Sequence, residues 1–118
     1  MFIYQATVDK VVDGDTLDLQ LDLGFGVFTR QRVRLLGINA AEHGTELGDK
    51  ATAFAKAWVQ EHGPTFTVRT QKDKKEKYGR YLATVLSDTA DLGQTLIDAG
   101  LAVPYDGNGP RPVPESVP

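Results

Sequence analysis

The chain has 118 residues, of which 41% are hydrophobic and 25% charged, a composition typical of one globular domain and not of a disordered chain. Its 13 Lys and Arg against 16 Asp and Glu give a formal net charge of -3, a total that argues against nucleic-acid binding. The absence of cysteine excludes disulfides, zinc ribbons, iron–sulfur clusters and thiol nucleophiles.

The sequence carries no signal for a membrane or for export. No apolar run approaches the roughly 18 residues that a membrane-spanning helix needs. The first residues have no basic segment and turn polar too early for a signal peptide. We therefore expect a cytoplasmic or otherwise intracellular protein with no membrane partner, or a secreted one if a leader has been removed. We expect a monomer.

The first third of the chain predicts three strands. Between positions 17 and 23, leucines alternate with polar residues, the period-2 pattern of a strand with one buried face. The segment Gly24-Phe25-Gly26 offers a hairpin turn. Residues 27–37 are expected to form the returning strand, and residues 2–12 an earlier strand that ends at Asp13-Gly14.

A helix follows, because the apolar residues at 51, 54, 55, 58 and 59 form one stripe at helical spacing. Asp49 is the predicted N-cap, and Gly63 and Pro64 are expected to end the helix. Residues 65–70 and 80–87 predict two further strands. Residues 91–99 predict a short second helix, with Gly100 as the C′ residue that follows it.

This order favours an α+β fold: a five-stranded OB-fold Greek-key β-barrel with a helix between strands 3 and 4 and a short second helix. Such barrels bind several kinds of ligand, so the fold alone does not decide the function. We expect the domain to cover residues 1–103. Residues 104–118 hold five of the six prolines and are expected to form an extended or disordered tail.

Oxygen-bearing and basic side chains cluster at the predicted strand ends. Asp15, Asn39 and Glu42 offer two carboxylates and an amide oxygen, a set that suits a hard cation such as Ca²⁺ or Mg²⁺. Arg34 leads into this cluster and Arg80 begins a later strand. Two arginines facing a metal suit phosphoryl chemistry, because their planar forks bind phosphate oxygens and offset developing charge. Each residue also has a simpler interpretation, since Asp15 can cap a turn, and Arg34 and Glu42 can be surface charges.

Four segments together resemble the staphylococcal nuclease (thermonuclease) family: VVDGDT at 11–16, VRLLGINAAE at 33–42, KYGR at 77–80 and GQTLIDAGLA at 93–102. The resemblance covers about residues 5–103. It implies an OB-fold barrel with helices that hydrolyses phosphodiester bonds of DNA and RNA with Ca²⁺ and leaves 3′-phosphate ends.

The resemblance also implies roles for individual residues. Asp15 matches a carboxylate metal ligand, and Ala40 a position that gives the metal only its backbone carbonyl. Arg34 and Arg80 match the two catalytic arginines. Glu42 matches the carboxylate proposed to activate or orient the attacking water.

Asn39 departs from the family pattern, because the best-known members have a second aspartate ligand there. An asparagine keeps a carbonyl oxygen and loses a negative charge, so we expect weaker metal binding and tolerance of Mn²⁺ or Mg²⁺ in place of Ca²⁺. The candidate substrate-binding residues are Lys77, Tyr78, Tyr105 and Arg32, with DNA, RNA or both as the expected partner. No cofactor beyond the metal is expected.

The distribution of charge changes the meaning of the total. Residues 69–80 hold six basic and two acidic side chains, net +4, and the remaining residues carry net -7. A basic segment of this kind can attract a phosphate backbone. Two alternatives stay open: a catalytically weak or inactive module that binds nucleic acid or a protein, and a single-strand-binding barrel. The second would need exposed aromatic side chains on the strand faces, where the sequence predicts few.

Overall fold

A computed structural model describes residues 2–42, 44–72 and 81–105. The elements in chain order are β1 (Phe2–Asp13), β2 (Thr16–Asp22), β3 (Phe28–Leu35), β4 (Ile38–Ala40), α1 (Glu46–His62), β5 (Thr65–Lys72), β6 (Tyr81–Leu86), α2 (Leu92–Asp98) and β7 (Ala102–Pro104).

Five strands close into a barrel in the order β1-β2-β3-β6-β5, with β5 pairing back onto β1. All neighbours are antiparallel except β3 and β6, which run parallel with Val33 opposite Tyr81. The alternating leucines of β2 are buried in the barrel, as the period-2 pattern predicted. The α+β barrel predicted from the sequence is therefore confirmed, with α1 between its third and fourth strands.

Helix α1 begins four residues before the predicted position. Thr45, and not Asp49, is the N-cap, and its side chain accepts a hydrogen bond from the backbone N–H of Gly48. The Asp49 prediction was wrong because Thr45 supplies the capping oxygen, and Asp49 instead lies in the first turn, where an acidic side chain faces the positive end of the helix dipole. The helix ends at Gly63 as predicted.

The returning strand is shorter than the predicted range of residues 27–37, and a further strand follows it. β3 ends at Leu35, and Gly37, at φ 82°, turns the chain into the separate strand β4. β4 pairs antiparallel with β7, so that Asn39 lies opposite Val103. This two-stranded sheet was not predicted, because neither three-residue segment has a visible period. The boundary between domain and tail at residue 103 stays a prediction, and residues 106–118 lie outside the described part.

Both ends of helix α2 lie within one residue of the predicted range of residues 91–99. Its N-cap is Asp91, whose carboxylate accepts hydrogen bonds from the N–H groups of Gly93 and Gln94. Gly100 follows it at φ 75°, and the N–H of Leu101 donates to the carbonyl of Leu96. None of the helices in the described residues is long and apolar enough to cross a membrane.

β3 extends beyond β6, because only Val33–Leu35 pair with β6 whereas residues 28–32 pair with β2 alone among the described strands. The hairpin turn between β2 and β3 forms at Gly24-Phe25-Gly26 as predicted, and the N–H of Val27 donates to the carbonyl of Gly24. A groove of about 240 Å³ lies beside this part of β3. We call it the mouth groove. Its lining includes the aromatic residues Phe2, Tyr4 and Tyr81 and the polar residues Thr29, Gln31 and Thr70.

Exposed aromatic side chains are more numerous than the sequence indicated. Phe2, Phe25, Phe28 and Tyr81 are all exposed. The expectation of few exposed aromatics on the strand faces was wrong. Phe2, Phe28 and Tyr81 are the first residues of β1, β3 and β6, and each is exposed.

Candidate functional site

Asp15 is the central carboxylate of the predicted cluster, and the structure buries it in the turn between β1 and β2. Its Oδ1 accepts a hydrogen bond from the Thr16 hydroxyl at 3.1 Å, and its Oδ2 accepts one from the Ala40 backbone N–H at 3.0 Å. The Asp15 carbonyl accepts a third from the Leu35 N–H at 2.8 Å. The first two contacts orient the carboxylate. The contacts with Ala40 and Leu35 connect Asp15 to β4 and β3.

Arg34 lies on β3 directly opposite Thr16, so the strand register brings it to the same turn. Its Nη2 donates to Asn39 Oδ1 at 2.5 Å and lies 3.6 Å from Asp15 Oδ2. Only 9% of the side chain is exposed. One guanidinium nitrogen therefore reaches two oxygens from two different segments, and Asp15, Arg34 and Asn39 form a single buried polar cluster, which we call the site cluster.

Tyr105, the residue after β7, lies beside the site cluster. The Arg34 Cζ lies 5.7 Å from the centre of the Tyr105 ring, within the range of a cation–π contact. The Tyr105 N–H donates to the carbonyl of Gly37 at 2.8 Å, which holds the residue beside the turn into β4. Pairing of β4 with β7 thus places both Asn39 and Tyr105 against the arginine.

A close approach of α1 positions the turn that carries Asp15. A Cβ on Gly14 would lie 2.7 Å from the Ala51 Cβ and 3.1 Å from the Ala40 Cβ, closer than side chains pack. Glycine at 14 and alanines at 40 and 51 therefore let the helix, β4 and the turn meet. This role of Gly14 was not predicted, because Asp13-Gly14 was interpreted only as the end of the first strand.

Glu42 is held by its backbone at the start of α1. Its carbonyl accepts hydrogen bonds from the Thr45 hydroxyl at 2.7 Å and the Thr45 N–H at 3.3 Å. A Cβ on Gly48 would lie 1.8 Å from that carbonyl oxygen, so only glycine fits there. The Glu42 side chain is exposed, two residues after Ala40. The structure thus anchors the backbone of this residue and leaves its carboxylate facing solvent.

The oxygens of the site cluster fit a hard cation, but weakly. No group of three or more His, Cys, Asp or Glu side chains that could hold a metal occurs within residues 2–42, 44–72 and 81–105. Asp15 contributes one charge, and two of its roughly four lone-pair positions accept hydrogen bonds. Asn39 contributes an uncharged oxygen, and Arg34 places a positive charge beside both. Ligands from the substrate would have to complete the coordination.

Arg32 lies apart from the site cluster. Its guanidinium makes two hydrogen bonds with the Asp18 carboxylate on the neighbouring strand, at 2.8 and 3.2 Å. These bonds lower the pKa of Asp18 and raise that of Arg32. The predicted substrate contact at Arg32 stays a prediction, and it would require the arginine to share or leave this ion pair.

The remaining predicted residues, Lys77, Tyr78 and Arg80, lie outside the described residues. The chain re-enters the described part at Tyr81, which is paired with Val33, the neighbour of Arg34. The structure brings together Asp15, Arg34, Asn39, Ala40 and Tyr105, five of the predicted site residues. Thr16 and Gly48 were missed, and the only available signal was their spacing from Asp15 and Glu42.

Comparison with known proteins agrees with this arrangement. The chain is 28% identical, over 114 residues, to a protein named Endonuclease YhcR from Bacillus subtilis (strain 168). The match covers 86% of this chain and 9% of that protein, so the chain spans less than a tenth of its relative's length.

A model of the family described as staphylococcal nuclease homologue matches residues 32–114. The matched segment contains Arg34, Asn39, Glu42 and Tyr105, three of which the structure assembles around the site cluster. It covers well over half of the chain. The chain therefore belongs to the staphylococcal nuclease homologue family.

Proposed function

We propose that this domain is a metal-dependent nuclease that hydrolyses phosphodiester bonds of DNA, RNA or both. The observation that carries the proposal is the site cluster, in which one buried guanidinium nitrogen of Arg34 contacts both Asp15 and Asn39. Family membership and the endonuclease relative support the same conclusion.

Each residue of the proposed site has a distinct task. Arg34 binds nonbridging phosphate oxygens and offsets the charge that develops on them, as a preorganised buried donor does best. Glu42 takes a proton from the attacking water or aligns it. The water oxygen forms a bond to phosphorus as the bond to the 5′ oxygen breaks, and the departing oxygen takes up a proton from solvent water, which leaves a 3′-phosphate and a 5′-hydroxyl. Arg80, by its resemblance to the second catalytic arginine, is proposed to assist Arg34.

Asp15, Asn39 and the Ala40 carbonyl are the residues proposed to hold the metal. A bound Ca²⁺ would polarise the phosphate and offset its charge, and Mn²⁺ or Mg²⁺ could serve in its place. The single carboxylate and the adjacent Arg34 lead us to expect weak metal binding. Thr16 and the Ala40 N–H keep the Asp15 carboxylate oriented.

A cleavage assay tests the proposal. Plasmid DNA and a structured RNA are incubated with the protein in Ca²⁺, Mn²⁺, Mg²⁺ or chelator, and the product ends are identified. We expect cleavage with metal, none with chelator, 3′-phosphate ends, and a metal optimum above the low-micromolar range. Glu42→Gln, which keeps the backbone contacts to Thr45, is the matched variant and should lose most of the activity. Full activity of this variant would remove Glu42 from the mechanism.

The assay also decides the alternative of an inactive binding module. The asparagine at position 39 favours that alternative, because an uncharged ligand weakens the proposed metal site. Oligonucleotide binding without cleavage at any metal concentration would establish it.

A further inference from the structure

The mouth groove exposes aromatic side chains that the proposed catalytic site does not use. Phe2 is 66% exposed and Tyr81 is 40% exposed, and the Phe2 ring lies against the Tyr4 ring with centroids 6.3 Å apart. Large aromatic side chains left in contact with water are unfavourable unless something covers them. The three rings line one concave surface and are not scattered over the molecule.

The groove has the size and polarity of a site for a planar ring. An enclosed apolar cavity of about 150 Å³ already accepts benzene, and the mouth groove offers about 240 Å³ with one side open to solvent. Thr29, Gln31 and Thr70 add hydroxyl and amide groups to its otherwise apolar wall. An apolar slot with a few uncharged donors and acceptors suits the face and the edge of a nucleobase.

The groove is connected to the site cluster through β3. Val33 and Gln31 point into the barrel mouth, whereas Arg34 and Arg32, their neighbours on the strand, point to the outer face. β6 pairs with β3 only from Val33 to Leu35. Among the residues that the structure describes, 28–32 of β3 have no strand on that side. A polynucleotide crossing this edge can present phosphates to the arginines on one face and a base to the groove on the other.

We propose that the mouth groove binds an unpaired nucleobase of a single-stranded DNA or RNA substrate, by stacking on Phe2 and Tyr81. This inference rests on the proposed function, because it places the base on a strand whose phosphate reaches Arg34. Base stacking on aromatic side chains is tolerant of sequence, so the groove would select single strands over duplexes and not one base over another. It would give the domain a preference for unpaired regions.

A second copy of the chain fits the groove less well. A stable protein interface buries about 800 Å² on each partner, whereas the mouth groove is a slot for one ring system. Its polar residues are also uncharged and recessed, an arrangement that suits hydrogen bonds to a base edge better than a flat contact between proteins. Self-association is therefore an outcome that the test must detect.

The test measures binding of a fluorescent single-stranded oligonucleotide in chelator, where cleavage is not expected. We expect Phe2→Ala and Tyr81→Ala each to weaken binding about tenfold, the effect of removing one stacking ring. Tyr81→Phe should bind like the original chain because it keeps the ring. An oligonucleotide with abasic positions, which has the same phosphates, should bind the original chain about as weakly as the intact oligonucleotide binds the alanine variants.

Phe25→Ala is the matched control. Phe25 is a fully exposed aromatic on the neighbouring hairpin and does not line the groove, so its loss should leave binding unchanged. Thermal unfolding of each variant shows whether it is folded. Phe2 is mostly exposed, so its alanine variant keeps the test valid if Tyr81→Ala unfolds.

Unchanged affinity of Phe2→Ala and Tyr81→Ala, or equal affinity for the abasic oligonucleotide, would overturn the inference. So would a dimer in sedimentation that these variants convert to monomer without losing affinity. If the protein cleaves nothing but its binding still depends on the groove residues, the groove inference stands and the nuclease proposal is refuted. If the protein cleaves and the groove residues contribute nothing to binding, the nuclease proposal stands and the groove inference is refuted.

Discussion

The two faces of β3 meet different environments and illustrate two ways of using polar and apolar groups. Around Arg34 the polar groups are buried: Arg34 donates a hydrogen bond to Asn39 and lies beside Asp15, and the Ala40 N–H donates to Asp15. Around the mouth groove the apolar groups are exposed, and Phe2 and Tyr81 have only partial contacts. Each arrangement is unfavourable for an ordinary surface, since burial of charge and exposure of aromatic area both raise the free energy of the folded state.

The comparison shows which region can tolerate change. The site cluster is tightly constrained, because removing one member leaves the others buried and unpaired. The mouth groove is loosely constrained, because shortening an exposed ring leaves no cavity. Substitutions in the site cluster should therefore affect both stability and activity, whereas substitutions in the groove should affect binding alone.

Arg34→Lys should have the largest effect on activity. Lysine keeps the charge but loses the planar fork proposed to bind the phosphate oxygens, so we expect cleavage to fall about 100- to 1,000-fold, the loss seen for one preorganised donor. Arg30→Lys is the control on the same strand, since Arg30 is 79% exposed in an ion pair with Asp9. Initial cleavage rates measure both. Equal losses in the two variants would contradict a special role for Arg34.

Gly48→Ala should destabilise the fold by about 1–3 kcal/mol, a typical cost of overpacking. The new Cβ would lie 1.8 Å from the Glu42 carbonyl oxygen and force either that segment or the start of α1 to move. Gly93→Ala in α2 is the matched control, because its Cβ would be 3.4 Å or more from its neighbours. Alanine is the better helix former, so the control should be neutral or slightly stabilising. Urea unfolding compares the two variants, and similar losses would disprove the close-contact explanation.

Asn39→Asp should lower the metal concentration that gives half-maximal activity by about tenfold, because a second carboxylate strengthens the attraction to a hard cation. The same change would give Arg34 a carboxylate partner in place of an amide. Activity titrated with Ca²⁺ and Mn²⁺ measures the shift. An unchanged titration would mean that position 39 does not contact the metal.

Asp18→Asn should have the smallest effect, a slight loss of stability at neutral pH. The pKa of Asp18 is lowered from 3.8 by its hydrogen bonds to Arg32. The carboxylate therefore stabilises the fold above about pH 3.8, and this contribution is lost as the pH falls through the lower pKa of the folded state. Unfolding of both proteins at pH 7 and at about pH 3 or below should show a small difference that shrinks with acid. A difference that grows with acid would contradict the assignment.

The same substitution tests the predicted substrate contact at Arg32. Releasing this arginine from Asp18 should strengthen oligonucleotide binding if Arg32 contacts phosphate. Unchanged binding would leave Arg32 as a partner of Asp18 alone.

Elements with a clear period or end signal could be predicted from the sequence. The leucines of β2 and the apolar stripe of α1 each lie on one face, and burial of that face is the main stabilising term. Gly63 and Gly100 were predicted correctly as helix ends because their capping contacts are local. The predicted N-cap of α1 was wrong because Thr45 and Asp49 both have side chains that can cap a helix. The contact of Thr45 with the Glu42 carbonyl favours Thr45.

The site was predicted as a set of residues but not as an arrangement. Resemblance to the family identified Asp15, Arg34 and Asn39, yet nothing local indicates that one guanidinium nitrogen serves two of them. That contact depends on the register of β2 with β3 and on the pairing of β4 with β7. The hairpin of β2 and β3 follows from the predicted turn, but its register is not visible in the sequence. β4 and β7 are distant in sequence, and three-residue strands carry no period of their own.

The net charge of -3 illustrates the difference between what the sequence determines and what the tertiary structure decides. The sequence by itself determined the composition, the barrel strands, the helices and the concentration of basic residues between 69 and 80, because these follow from local order along the chain. Only the tertiary structure decided that acidic Asp15 and Asp18 are paired with arginines, and that Phe2 and Tyr81 meet at an open groove. The physical reason is that both results depend on contacts between strands. The register of β2 with β3 pairs the acids with the arginines, and the pairing of β1 with β5 and of β5 with β6 brings Phe2 and Tyr81 to one groove.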